Sequence, residues 1–416
     1  GQKTPGEKCR IVIGKDTRKS GDMLEAALTA GLCSMGAKVI PLGVVPTPAV
    51  AYLTRYYKAD AGVVISASHN PCEYNGIKFF NSDGYKLSDG IENEIESYIL
   101  GEKAIEELPT HGKVGYVSAN HNAVEDYVAF AVSTIDCRLD GMKIAVDCAN
   151  GASYETAFKA LNKLGANVEA IHNTPDGVNI NHMCGSTHME SLQAYVTSIG
   201  ADIGIAFDGD ADRMLAVDEN GKLIDGDQIM AACAKFMRDN GTLKQNTLVA
   251  TVMSNLGLFM AGEKIGINIP RTKVGDRYVL EEMLAKGYNI GGEQSGHIIF
   301  LDHNTTGDGL VSALQFLSVL KKTGMKASEA ASIVTVMPQV LRNAVVKLEN
   351  KNSYMENEEI AAACKALEDE FAGEGRVLIR PSGTEPLVRV MIEGKDEEYI
   401  TKKAEELAEL IEKILG

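Results

Sequence analysis

No CxxC pair, no cysteine spacing suited to a metal and no apolar run long enough to span a bilayer or build a signal peptide occurs in this sequence. These gaps exclude a dithiol or cysteine-zinc centre and a membrane-spanning helix. Basic charge is also in short supply: 41 Lys+Arg against 57 Asp+Glu leave a net charge of −16. A field of that sign repels nucleic acid and anionic membranes, so any phosphate ligand needs a locally basic site. The eight cysteines (Cys9, Cys33, Cys72, Cys137, Cys148, Cys184, Cys233 and Cys364) scatter among predicted strands, helices and loops. Such scatter suits reduced thiols in a cytosol, and a cytoplasmic protein is expected.

What is present is a chain of 416 residues, more than one hydrophobic core usually organises, with 45% hydrophobic and 24% charged residues. One plan recurs along it. Cys9-Arg-Ile-Val-Ile-Gly14 reads as a buried strand; Met23, Leu24, Ala27, Leu28, Leu32 and Met35 then mark a helix at 3.6-residue spacing. After a Met-Gly-Ala stop, Lys38-Val-Ile-Pro-Leu42 reads as a second strand. The plan returns as Lys143–Cys148, a helix at 156–164 and Val168–Ile171, and more loosely as Thr247–Thr251 with a helix near Leu256–Ala261. Strand, helix, strand predicts parallel α/β units. The last stretch differs: strands at 340–348, 377–379 and 387–393, a polar helix at 354–371, and a closing helix with Ile400, Ala404, Leu407, Ile411 and Ile414 on one face. The expected fold is α/β, with three similar α/β domains at 1–120, 121–224 and 225–336 and a C-terminal α+β domain at 337–416.

Four segments carry chemistry. Ser66-Ala-Ser-His-Asn-Pro71 follows the apolar strand Ala61–Ile65, and the carboxyl end of a parallel strand is where α/β folds present reacting groups. The Asn70-Pro71 turn leaves Ser68, a candidate nucleophile, and His69 exposed at its start. Asp208-Gly-Asp-Ala-Asp-Arg213 follows the strand Asp202–Phe207. In extended backbone its outer carboxylates would lie about 13 Å apart, too far for one ion. The segment must therefore curl, which Gly209 permits, and a cation must hold three repelling carboxylates together. An EF-hand is rejected: its sixth loop position should be Gly and is Arg213, and the flanks are strands. Gly291-Gly-Glu-Gln-Ser-Gly-His297 lets backbone approach a ligand, with Glu293 and Ser295 as partners for hydroxyls. Arg380-Pro-Ser-Gly-Thr-Glu-Pro386, with Arg389 on the next strand, has the composition of an anion cradle. Arg18, Lys78, Lys273 and Arg277 are expected to complete an electropositive cleft.

Nucleophile, carboxylate cluster, polyol reader and phosphate cradle, one per domain in chain order, resemble the α-D-phosphohexomutase superfamily. The resemblance runs nearly end to end and includes Gly14-Lys-Asp-Thr-Arg18, Thr251–Leu256 and Thr305–Gly309. Ser66-Ala-Ser-His-Asn70 and Gln294 make it most similar to the bacterial branch acting on glucosamine phosphates. The resemblance implies mixed, largely parallel sheets and four domains around a central cleft. It implies a phosphorylated Ser68, with one Mg²⁺ on Asp208, Asp210, Asp212 and a phosphoserine oxygen. It also implies sugar contacts from Glu293 and Ser295, joined by Arg213, Lys273 and His297. Arg380, Ser382, Gly383, Thr384 and Arg389 would hold the non-reacting phosphate, and Lys78, His69 and Lys273 are candidate general bases.

The implied reaction interconverts glucosamine 6-phosphate and glucosamine 1-phosphate through glucosamine 1,6-bisphosphate or a related hexose bisphosphate. The same chemistry on mannose or glucose phosphates, or a non-catalytic sugar-phosphate sensor, are the alternatives. The expected partner is a small-molecule sugar phosphate, with no nucleic acid and no membrane; a homodimer is compatible with the sequence. Superfamily members open with a strand and a Phe-Gly-Thr-x-Gly-x-Arg-Gly segment, and residues 1–120 of this sequence contain neither.

Overall fold

Four sheets organise the chain in the computed structural model, which describes residues 8–105, 108–382 and 385–416. The first has strand order β4-β3-β1-β2-β5, built from β1 (Arg10–Lys15), β2 (Lys38–Val44), β3 (Ala61–Ile65), β4 (Ile77–Asn81) and β5 (Tyr116–Val117). The second has order β10-β9-β8-β6-β7, from β6 (Lys143–Asp147), β7 (Asn167–Ile171), β8 (Ile203–Phe207), β9 (Met214–Asp218) and β10 (Leu223–Ile224). The third, β12-β11-β13-β14, uses β11 (Val249–Thr251), β12 (Arg271–Thr272), β13 (Ile290–Gly292) and β14 (Ile298–Phe300).

These three sheets share one construction. In each, three neighbouring strands run parallel (joined in the first sheet by a fourth, β5), and the third in chain order turns back into an antiparallel neighbour: β3 into β4, β8 into β9, β13 into β14. The turn that follows the third parallel strand carries Ser68 in the first sheet, Asp208–Arg213 in the second and Glu293–His297 in the third. Repetition of topology thus puts three different chemistries at one structural position.

Residues up to Met253, with Gly266–Ile333, form one compact unit holding these sheets. In the first sheet Ile13, Val39, Val63 and Ile65 pack against Leu24, Leu28 and Leu32 of the helix Ser20–Ser34. Met23, Ala27 and Met35 of the predicted apolar face are exposed, because the contact stripe is only as wide as the leucines spaced four apart. Gly36 and Gly165, at the two predicted helix stops, have φ of +86° and +88°, which side chains disfavour.

The second unit joins Ser254–Ile265 to Val334–Gly416. Its sheet is antiparallel, β15-β17-β16, from β15 (Gln339–Val345), β16 (Arg376–Pro381) and β17 (Leu387–Glu393). Ile360, Ile400, Ala404, Leu407 and Ile411 cover it from the helices Glu358–Phe371 and Glu397–Leu415. The loose third repeat is present as strand and helix: Leu256–Ile265 connects β11 to its parallel neighbour β12, and the helix packs within this unit. Its anchor is the buried ion pair Arg376–Glu393 (2.6 Å), from which Glu393 accepts the Leu256 N–H and Arg376 donates to the Ser254 carbonyl.

Candidate active site

Ser68 stands in the turn between β3 and β4 with φ of +52°, a conformation a non-glycine residue holds only when its surroundings enforce it. The enforcement is visible. Arg18, buried against Asp16 (Nε–Oδ2 2.9 Å), donates to the carbonyls of Ser68 (3.0 Å), Asn70 (2.7 Å), Tyr74 (3.0 Å) and Pro71. Ser66 donates its hydroxyl to Asp16 (2.6 Å) and accepts the Ser68 N–H (3.0 Å). Arg18 therefore does not add open positive charge to the cleft, as its type suggested; it is spent inside the serine loop. Arg18→Ala would strand Asp16 and four carbonyls, at a cost of about 3–5 kcal/mol. The expected readout is a fall of roughly 5–10 °C in the first thermal transition.

Across the gap, Ser68 Oγ donates to Asp208 Oδ2 at 2.7 Å, joining residues 140 apart in sequence. The acidic segment is the tight hairpin loop between β8 and β9, and one carboxylate oxygen from each of Asp208, Asp210 and Asp212 lies within 4.8 Å of the others. The curl is real, but its left-handed residue is Ala211 (φ +56°), not Gly209. Gly209 answers a different need: a Cβ there would come within 2.6 Å of the Ser68 carbonyl and of Asn181 Nδ2. Two helix starts support the loop. Thr47 donates its N–H to the Asp210 carbonyl (2.9 Å) and its hydroxyl to Asp210 Oδ2 (2.7 Å), and Gly309 N–H donates to the Ala211 carbonyl (3.0 Å).

Lys78, on β4, reaches Asp210 Oδ2 at 2.7 Å and Asp212 Oδ2 at 3.9 Å. Burial opposes its charge, yet these carboxylates hold its ammonium above the ordinary lysine range. Burial, then Asp212 and Asp210, push Asp208 well up. Asp212 is held low: His297, Lys78 and Arg213 outweigh its burial. Oδ1 of Asp210 and Oδ1 of Asp212 are buried with no hydrogen-bond partner. Three converging carboxylates, two with an unused oxygen, fit a hard divalent cation such as Mg²⁺. His69 Nδ1 accepts from Arg213 Nη1 at 3.2 Å, and burial, then Arg213, lower its pKa.

The third loop is a tight turn: Glu293 N–H donates to the His297 carbonyl and Gly296 N–H to the Glu293 carbonyl, both at 3.0 Å. Glu293 Oε1 accepts the Gly275 N–H (2.9 Å), and Ser295 is exposed. Gln294 turns away and donates to Asp225 Oδ2 (3.0 Å), the capping residue of the helix Gly226–Asp239. His297 is buried, with Nδ1 3.6 Å from Asp212 and Nε2 3.6 Å from Asp276, and it accepts the Gly307 N–H (3.2 Å). Its Nδ1 thus faces the acidic loop at Asp212, and its Nε2 faces Asp276 and Gly307. Lys273 is exposed over the Tyr278 ring, and Arg277 pairs with Asp89 and Glu281 on the surface.

In the second unit Arg380 and Arg389 are directly paired across β16 and β17. Burial and the facing Arg389 both lower the Arg380 pKa, since like charges directly opposite on a sheet repel. Glu385 takes up part of the excess, 3.3 Å from Arg389 and 3.4 Å from Ser382 Oγ, while Arg389 Nε stays buried and unpartnered. Gly383 and Thr384 lie outside the described residues. The structure so brings Ser68, His69, Lys78, Asp208, Asp210, Asp212, Arg213 and His297 together in one unit, and Arg380, Ser382 and Arg389 in the other. Thr47, Asn181 and Asp276 were missed, since each meets the site through contacts no local spacing encodes.

Comparisons with known proteins identify the family. Models of the phosphoglucomutase/phosphomannomutase family match in order: α/β/α domain I at residues 1–106, domain II at 124–221, domain III at 225–337 and the C-terminal domain at 344–410. A phosphoglucosamine mutase of Ruminiclostridium cellulolyticum is 63% identical over 403 residues, covering 97% of this chain and 90% of that one. A phosphoglucomutase/phosphomannomutase family protein of Burkholderia thailandensis superposes with a TM-score of 0.79 at 24% identity, covering 97% and 89% of the two chains. An N-acetylphosphoglucosamine mutase of Aspergillus fumigatus, solved with GlcNAc-6P and magnesium, gives 0.69 at 19% identity, covering 89% and 93%.

Proposed function

Because this chain belongs to the phosphoglucosamine mutase family of the α-D-phosphohexomutase superfamily, we propose that it interconverts glucosamine 6-phosphate and glucosamine 1-phosphate through phosphorylated Ser68. As a phosphohexomutase it is an isomerase. The observation that carries the reading is the 2.7 Å contact of the Ser68 hydroxyl with a carboxylate triad holding two unpartnered buried oxygens.

Charge explains the residue set. A phosphoserine brings about −1.5 to −2, and three carboxylates take the local total toward roughly −5. Asp208, Asp210 and Asp212 would hold Mg²⁺, which when bound neutralises charge on a transferring phosphoryl group. Lys78 and Arg213 offset the remainder from two sides. The raised pKa of Lys78, held by Asp210 and Asp212 against burial, supports an electrostatic role for it, and the place of His69 beside Ser68 supports proton transfer with the sugar hydroxyl. Glu293 and Ser295 offer an acceptor and a hydroxyl to the sugar. Arg380, Ser382 and Arg389 supply a phosphate cradle whose like-charge strain an anion relieves. The substrate supports a cytoplasmic setting; among the described residues no helix is long and apolar enough to cross a membrane.

The test is a coupled assay of the purified protein with glucosamine 6-phosphate, glucose 6-phosphate and mannose 6-phosphate, each with a trace of the matching 1,6-bisphosphate. Glucosamine 6-phosphate is expected to turn over at least about tenfold faster than the others. Preference for another sugar moves the assignment to that hexose, and binding without turnover leaves a sensor. Thr47 yields a finer expectation. Thr47→Val removes the hydroxyl that fixes Asp210, and should raise the Mg²⁺ concentration for half-maximal activity roughly 10-fold while saturating turnover changes less.

A further inference from the structure

We propose that Asn181 is a positioning residue: from the second sheet's loops it sets where the Ser68 backbone sits over the acidic loop, and so acts on phosphoryl transfer instead of on sugar binding. This rests on the reading of Ser68 as the phosphorylated residue. Asn181 Nδ2 donates to the carbonyls of Ser68 (2.9 Å) and Asn70 (3.1 Å), the same two oxygens that Arg18 reaches from within the first domain. Arg18 shapes the serine loop; Asn181 ties that shaped loop to the domain bearing the triad. The orientation of the amide follows from chemistry, because the flipped form would set Oδ1 against two carbonyl oxygens.

Asn181 is itself held stiffly. It is 7% exposed, its φ is +57°, and its N–H donates to the Ala149 carbonyl at 2.9 Å. The loop that carries it is closed by Asp147, at the end of β6. Asp147 accepts the N–H groups of Ala149 (2.8 Å) and Gly185 (3.0 Å) and meets His172 Nδ1 at 2.9 Å. With Cys184 beside it, this cluster has metal-ligand types within 4.8 Å, but the Asp147 oxygens are already engaged and burial pushes the Cys184 thiol up to about 12. It is a knot that fixes the loop, and what it fixes is the Asn181 amide. Gly209 completes the arrangement: with a Cβ barred at 2.6 Å from both Asn181 Nδ2 and the Ser68 carbonyl, the acidic loop lies directly on this hydrogen bond. The Asn181 Oδ1 is left buried and unpartnered, so the side chain is placed for what its nitrogen does.

The experiment compares Asn181→Ala and the isosteric Asn181→Asp with the unmodified protein, reading kcat, KM for glucosamine 6-phosphate, thermal stability and phosphate on Ser68 by intact mass and peptide mapping. A misplacement of the reacting group on the order of 1 Å costs about 10²-fold. Asn181→Ala is therefore expected to lower kcat roughly 10- to 100-fold with KM within about twofold, and Asn181→Asp, which turns oxygen toward both carbonyls, to lower it further. Unchanged kcat in either folded variant overturns the inference, as does a rise in KM that accounts for the whole loss. If instead the unmodified protein turns over without phosphate ever residing on Ser68, the functional reading fails and the inference falls with it.

Discussion

Ser68→Ala is expected to lower turnover by on the order of 10⁴-fold or more, the scale seen when a covalent nucleophile is deleted from a preorganised site. The loss should appear without loss of fold. Ser68 Oγ makes a single hydrogen bond, to Asp208, while the loop that holds it is fixed by Arg18, Asn181 and Ser66 through backbone atoms that alanine retains. Steady-state assay beside a melting curve separates the two effects. Alanine at 68 with normal activity would mean that the group is carried elsewhere.

Asp208→Asn combines a large loss of activity with an opposite effect on stability. Asp208 is fully buried, and burial with two neighbouring carboxylates raises its pKa, so its charge is a cost to the metal-free fold. Asparagine keeps an oxygen for the Arg213 N–H and an amide for the Ser68 hydroxyl. In chelator the variant should melt a few degrees higher than the unmodified protein, roughly what about 1–2 kcal/mol gives in a chain of this size. With saturating Mg²⁺ its turnover should be lower by about 10³-fold, several kcal/mol of lost charge stabilisation. A variant less stable in chelator would show that the three carboxylates do not repel one another as described.

Much of this was legible in the residues. Ser66–Pro71 and Asp208–Arg213 each follow a hydrophobic strand, and the structure puts both at the same turn of the same strand order, so strand periodicity and local composition sufficed to find them. The Gly36 and Gly165 stops were equally local. What composition cannot encode is the use to which a group is put at long range. Arg18 and Lys78 are both cations beside a motif; only the fold shows that one is consumed by four carbonyls and the other reaches the triad. Thr47 finds Asp210 across 163 positions and Asn181 finds Ser68 across 113, with no spacing rule linking either pair. The helix Leu256–Ile265 was legible as the helix that follows β11, but not that it packs within the second unit, since an apolar face does not name its partner.

The account stands on phosphoryl transfer through one hydroxyl, and one measurement reaches it directly. Protein first dephosphorylated is mixed with glucosamine 1,6-bisphosphate labelled in its phosphates, quenched, digested and mapped. Label is predicted on the peptide containing Ser68, to leave on a chase with unlabelled glucosamine 6-phosphate and to appear in both sugar monophosphates. Turnover under the same conditions with no label at Ser68, or with label on another residue, would contradict it.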